Sequence, residues 1–232
     1  MSITALAVSA LAGIHYWRGR IPPSLIDSRS AFQRMDGGAS QLVARSLRGT
    51  SGPSVLLLAA GRGQINGFSR RSPEMSGEPL ELLGGPHAYR RWQQSGTALY
   101  GTVFPAGTPA GDLRLTTAES DEATLMAVHV AGSKVADVSW VEREPSWRIT
   151  SAPVITRGAA TLVAFWWGDA GVRYRKSVVP GNGFRLLDSV LDSGALVQAA
   201  TAVRHVDAAG TYAVTWTAWP KQGGQLWLIA IE

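Results

Sequence analysis

Gly210-Thr-Tyr-Ala-Val-Thr-Trp-Thr-Ala-Trp-Pro-Lys-Gln-Gly-Gly-Gln-Leu-Trp-Leu-Ile-Ala-Ile-Glu232 is the stretch whose reading sets the fold class. Tyr212, Val214, Trp216 and Ala218 alternate with Thr211, Thr215 and Thr217. This period of two places apolar side chains on one face of an extended chain and threonines on the other, as in a half-buried strand. Pro220 cannot donate to a ladder and Gly223-Gly224 tolerates turn geometry, so Pro220 to Gly224 is expected as a turn. Gln225 to Ile231 is almost continuously apolar and reads as the return strand of a hairpin that completes a β core.

Working outward, the rest of the chain repeats this style. Gln41 to Arg48 alternates, and Val55-Leu-Leu-Leu-Ala-Ala60 is apolar without alternation, as expected of a strand covered on both faces. Gly61-Arg62-Gly63 reads as its end, and Gln64 to Pro79 as a long Gly/Ser/Pro-rich loop. Leu80 to Leu83, His87 to Trp92, Ala98 to Phe104, Asp112 to Thr116 and Ala123 to Val130 are further short strands separated by Gly and Pro. No segment carries a sustained apolar stripe at helical spacing, so very little helix is expected.

After Val135 to Trp147 the pattern starts again. Arg148 to Thr156 and Ala160 to Trp167 match Gln41 to Arg48 and Val55 to Ala60, and Phe184-Arg-Leu-Leu187 sits where Leu80-Glu-Leu-Leu83 did. Ala195 to Val206 answers His87 to Trp92, Gly210 to Pro220 echoes Gly96 to Pro105, and Leu226 to Ile231 echoes Leu125 to Val130. A period of this size is that of a domain rather than of a solenoid repeat. The expected fold is all-β, with two tandem antiparallel, jelly-roll-like β-sandwich modules related by internal duplication. The expected division is an N-terminal arm or strand with polar connector over 1–39, module 1 over 40–133, a connector over 134–147 and module 2 over 148–232. A single jelly roll with quasi-symmetric halves is the rival.

Composition narrows the function classes. The chain has 232 residues, is 45% hydrophobic and carries 22 basic against 17 acidic residues, a net charge of +5. It can therefore bury a core, and its basic residues lie singly or in pairs such as Arg90-Arg91. No block of like charge marks a nucleic-acid tail, and a diffuse attraction to polyanions such as acidic polysaccharide is the functional alternative to solvated arginines. The absence of cysteine removes disulfides, thiolate metal sites and cysteine nucleophiles together, and suits a particle assembled in a reducing cytoplasm that later endures outside. Residues 1 to 13 are apolar but lack a basic n-region, and the run is too short to span a bilayer. A packed arm is the preferred reading and an uncleaved signal-like segment the alternative. Leu6, Val8, Leu11, Tyr16 and Trp17, with Ile3, would be a liability if exposed, and are expected to serve assembly by packing on a partner or on module 1.

The chain carries little that marks a catalytic centre. His15, His87, His129 and His205 have no mutual spacing that suits a metal, and no Gly-x-Ser-x-Gly elbow is present. Glu142 with Glu144 and Asp188 with Asp192 are the carboxylate pairs a glycosidase would need, and solvated turn acids explain them as well. Asp112, Glu119, Asp121 and Glu122 lack the spacing of a calcium loop. Gly61-Arg-Gly-Gln-Ile-Asn-Gly67 precedes no helix, as a phosphate loop would. No catalytic residue, metal or cofactor is therefore assigned. Among nine tryptophans, Trp166, Trp216 and Trp227 read as core, whereas Trp92, Trp140, Trp147 and Trp219 flank turns or the connector. Trp92 and Gln93 beside Arg90 and Arg91 are the preferred ligand site, because an exposed indole with cations nearby suits stacking on an acidic sugar. Packing on a partner subunit accounts for the same residues.

Phe165-Trp-Trp-Gly-Asp169, Pro180-Gly-Asn-Gly-Phe184 and Gly210-Thr-Tyr-Ala-Val-Thr-Trp216 together follow the strand and turn order of a known class. The pattern resembles the small β-sandwich modules that recur in tailed-bacteriophage virion proteins, chiefly over 148 to 232 and more weakly over 40 to 131. The resemblance implies a non-enzymatic virion component, such as a head decoration, head fibre or tail-associated module, with other virion proteins and further copies as partners. It implies residence in an extracellular particle assembled in the host cytoplasm, and brings no site residue with it. The weighed alternatives are a carbohydrate-binding module of a secreted or cell-surface protein and a glycan hydrolase or esterase.

Overall fold

The computed structural model describes residues 20–34, 41–65, 71–117, 120–169, 176–191 and 196–232. All assigned elements among them are strands. The first half comprises β1 (Leu25–Arg34), β2 (Gln41–Leu47), β3 (Ser54–Ile65), β4 (Glu74–Met75), β5 (Glu78–Pro79), β6 (Glu81–Tyr89), β7 (Trp92–Phe104), β8 (Gly111–Thr116) and β9 (Ser120–Ala131). The second comprises β10 (Val135–Thr150), β11 (Val154–Thr156), β12 (Ala160–Asp169), β13 (Ser177–Pro180), β14 (Arg185–Val190), β15 (Val197–Val206), β16 (Gly210–Tyr212) and β17 (Thr215–Ile231). All pairings between these strands are antiparallel, as the alternating and doubly apolar runs require.

The sheets stack in four layers around three apolar cores. In the first half, β1-β9-β3-β7-β6 packs on the small sheet β2-β8-β4-β5; in the second, β10-β17-β12-β15-β14 packs on β11-β16, with β13 bonded to β17. The two large sheets then meet face to face. Strand β3 explains why: Leu56, Leu58 and Ala60 enter the first-half core, while Val55, Leu57 and Ala59 meet Val163, Phe165, Trp227 and Ile229 of the second half. Strand β17 does the same from the other side, with Leu226, Leu228 and Ala230 inward and Trp227, Ile229 and Ile231 in the shared core. Two-sided burial accounts for the loss of alternation in both strands. Trp166, Trp216 and Trp227 are fully or almost fully buried, as their positions within strands predict.

The two large sheets have the same order of connection, and their facing is reciprocal. Strand β1 lies against β14 and β10 against β6, while β9 lies against β15 and β17 against β7. One local device occurs in both halves. The pairing of β1 slips at Leu25/Asp27 and that of β10 at Val135/Asp137. Asp27 accepts the Ser28 and Arg48 N–H groups at 2.9 and 3.0 Å; Asp137 accepts the Val138 and Ile155 N–H groups, both at 2.8 Å. Each bulge aspartate thus ties an outer edge strand to the chain that leaves the layer beside it.

Several expectations are corrected. The last stretch is no hairpin: β17 runs through Pro220 to Gly224 as one bent strand, and its pairing with β10 continues across the bend through Ser146↔Gln222 and Arg143↔Gly224. The stretch 134–147 is no connector, because β10 spans Val135–Thr150 and borders the large second-half sheet. Strand β1, read as part of the polar arm, completes the large first-half sheet. Gly61-Arg62-Gly63 lies inside β3 rather than at its end. Glycine is needed there because the other sheet comes too close for a side chain: a Cβ on Gly61 would lie 2.6 Å from Trp167 Nε1, and one on Gly63 2.7 Å from Val197 Cγ2. Within the stretch expected as a loop, 64–79, β4 and β5 form a small hairpin. Leu6, Val8, Leu11, Tyr16 and Trp17 lie outside the described residues.

Candidate functional site

The β6–β7 hairpin projects Arg90 and Arg91 between Tyr89 and Trp92, which pair across it. Its base is held in the molecule. Tyr89 is buried and meets Trp167 edge-to-face at 5.3 Å between ring centroids. The Arg90 N–H donates to both carboxylate oxygens of Glu142 on β10, at 3.1 and 3.2 Å. Gln225 Nε2–H donates to the same carboxylate at 3.1 Å, and Gln225 Oε1 accepts the Thr97 hydroxyl at 2.7 Å. Trp227 Nε1–H in turn donates to Thr97 Oγ1 at 2.9 Å. A polar network therefore joins the two halves beneath the hairpin, and backbone and buried side chains already engage the Glu142 carboxylate.

Trp92 itself is 51% exposed, and the Arg91 guanidinium carbon sits 5.8 Å from its ring centroid. Gln93 is exposed beside it on β7. All four ligand-site residues expected from sequence are thus accessible on one hairpin tip. An indole face with an adjacent cation attracts an anionic, partly apolar ligand such as an acidic sugar ring. Beneath the surface, Tyr89 reaches toward β17: its hydroxyl fills the place where a Gly223 side chain would stand, next to Pro145. Just beyond, the bend in β10 and β17 leaves Trp147 48% exposed, with Lys221 Nζ 5.6 Å from its ring centroid. Trp219, half exposed, follows on β17. Trp140 differs: it is partly buried and stacked on His87 at 3.9 Å, and burial holds the His87 imidazole below its ordinary value.

Of the carboxylates considered as catalytic pairs, Glu142 and Asp188 accept backbone hydrogen bonds and Glu144 is exposed; Asp112, Glu119, Asp121 and Glu122 are the candidates for calcium. Glu122 is buried and accepts the Leu196 and Val197 N–H groups at 2.9 and 2.7 Å, another bond between the halves. Asp188 accepts the Ser189 N–H at 2.8 Å, and Asp192 and Glu119 lie outside the described residues. An open depression of about 400 Å³ on β4 and β8 is lined by Glu74, Ser76, Gly77, Asp112 and Arg114. There Asp112 accepts the Ser46 N–H at 3.0 Å and lies 3.5 Å from Arg114. Among the described residues no three His, Asp or Glu side chains gather as metal ligands, and none forms a helix long and apolar enough to cross a membrane.

The chain matches no family model, no curated protein and no solved structure. Sequence placed Trp92 beside Arg91 because they are neighbours in the chain. It gave no sign that Glu142 would clamp the hairpin or that Lys221 would lie over Trp147, since both contacts depend on how β6, β10 and β17 meet.

Proposed function

We propose that the protein is a non-enzymatic structural or surface component of a virion of the tailed-bacteriophage kind, a head decoration, head fibre or tail-associated module, and that its Trp92 hairpin contacts acidic polysaccharide on the host surface. The supporting observation for the contact is the exposed Trp92 ring with Arg91 beside it, on a hairpin anchored by Glu142. A preorganised aromatic tip loses little conformational entropy on binding, and the flanking cations favour an anionic ligand. The virion setting is supported by the resemblance of the strand and turn pattern and by a cysteine-free, all-strand body that depends on no redox chemistry. Duplication of one ancestral sandwich is part of this reading; the shared strand order and the Asp27 and Asp137 bulges support it.

The same tip suits a carbohydrate-binding module of a secreted or cell-surface protein, and that is the second reading. The test is a glycan-array screen of the purified chain, with its mass in solution recorded on the same sample. Saturable binding to acidic polysaccharide is expected, lost in Trp92→Ala and in the Arg90→Ala/Arg91→Ala pair, together with a defined oligomer. A monomer that binds glycan would favour the second reading, and a folded protein that binds no acidic glycan would refute the receptor contact.

A further inference from the structure

The geometry points to a two-station site that holds successive sugars of an anionic chain, with Trp92–Arg91 as one station and Trp147–Lys221 as the other. This deepens the glycan reading above and rests on it. Each station has the same composition, a half-exposed indole with a cation 5.8 or 5.6 Å from its centroid. The two are connected by a short path of contacts: Trp92 pairs with Tyr89, the Tyr89 hydroxyl reaches the Gly223 position beside Pro145, and Lys221 and Trp147 each lie two residues further along their strands. A cross-strand step of about 5 Å, the length of the Tyr89 side chain and two strand residues of about 3.3 Å each bound the path at about 18 Å, which puts the stations on the order of 15 Å apart. One sugar ring cannot touch both at that separation, but an extended oligosaccharide can.

Charge supports the class of ligand. Arg90, Arg91, Arg143, Arg148 and Lys221 lie on the same hairpin and strands as the stations, against Glu142 and Glu144, an excess of three positive charges. Glu142 is turned inward by its bonds to the Arg90 N–H and Gln225, so its charge is partly compensated. This moderate and interrupted field suits a chain with one carboxylate per sugar better than a polyphosphate, whose dense charge favours an unbroken row of cations. The arrangement therefore selects a polyuronate-like glycan over single-stranded nucleic acid.

The test measures binding of galacturonate oligomers of increasing length to the full chain by calorimetry, with neutral malto-oligomers and an oligo-dT of matched length as comparators. Affinity should rise by roughly tenfold between an oligomer that fills one station and one that spans both, since a stacked cation-assisted ring contributes about that factor. Trp147→Ala and Lys221→Ala should each remove the rise yet keep binding of the short oligomer, whereas Trp92→Ala should weaken both. Added salt should weaken the long oligomer more than the short one. If Trp147→Ala leaves the long oligomer unchanged, the second station is refuted while the Trp92 contact stands. If no uronate binds at any length, the underlying glycan reading falls too; tighter binding of oligo-dT would overturn the ligand class.

Discussion

Adding a single methyl group at Gly61 should loosen the contact between the two large sheets. A Cβ built there would lie 2.6 Å from both Trp167 Nε1 and Thr124 Oγ1, whereas unstrained contacts lie at about 3.5–4.0 Å. Trp167 is 3% exposed and Thr124 1%, so neither has open space to yield into. Overpacking of this kind costs about 1–3 kcal/mol, and for a chain of this size each kcal/mol lowers Tm by about 2–4 °C. Gly61→Ala should therefore melt roughly 2–12 °C below wild type. Gly52→Ala, where a Cβ would meet nothing within 4 Å, should melt within about 2 °C of it. Trp167→Leu will itself destabilise by removing buried ring, but it also removes the clash. The double variant should thus be more stable than the two losses predict together, by a coupling of about 0.5–3 kcal/mol in urea unfolding. A Gly61→Ala protein as stable as wild type, or strict additivity with Trp167→Leu, would refute the face-to-face packing at this point.

Two further outcomes follow from buried polar groups. Gln198 is fully buried and neither of its amide atoms has a hydrogen-bond partner among the described residues; Gln198→Met should raise the urea midpoint by the equivalent of about 1–3 kcal/mol, and a fall of that size would mean the amide is engaged. His129 Nδ1–H donates to the Arg48 carbonyl at 2.9 Å, and Nε2 shares a 2.9 Å hydrogen bond with the Ser54 hydroxyl, which can donate to the neutral ring or accept from the protonated one. Burial holds its pKa below 6.5, against the opposing pull of that carbonyl and of Asp27. The unfolded chain then takes up the proton first, so stability should be full above 6.5 and decline as pH falls from 6.5 toward the folded-state value. Urea midpoints at about pH 7.5 and about pH 6 check this, and a midpoint that rises on acidification would contradict it.

What the sequence conveyed divides along physical lines. The alternation of Val214, Trp216 and Ala218 with half-buried Tyr212, and the two-faced run Val55 to Ala60, are local patterns, and the burial of these residues follows from them. Gly61 and Gly63 misled because a glycine that ends a strand and one that admits a tryptophan from another sheet look alike in one dimension. Strand β10 was hidden by Pro145 and its charges: it borders the sheet, where one edge and much of one face are open to water, so its composition resembles a loop. Pro220 and Gly223-Gly224 suggested reversal, but β10 bends beside β17 and keeps it paired. At the candidate site, Trp92 and Arg91 were legible because they are adjacent, whereas Trp147 and Lys221 come together only at that bend.

The reciprocal facing of the large sheets has a consequence for assembly. A self-complementary contact between two like surfaces is satisfied once and closes on itself. Here the two central faces cover each other within one chain, leaving neither open to a neighbour. Among the described residues the sheet edges, the Trp92 tip and the outer layers remain open to neighbours, and the outer layers are chemically unlike. One presents Arg45, Glu78 and Arg114, the other Ile155 and Val179. A body with two different ends has a polarity, so copies joined through both ends would grow head to tail, into a ring or a filament, rather than stop at a pair.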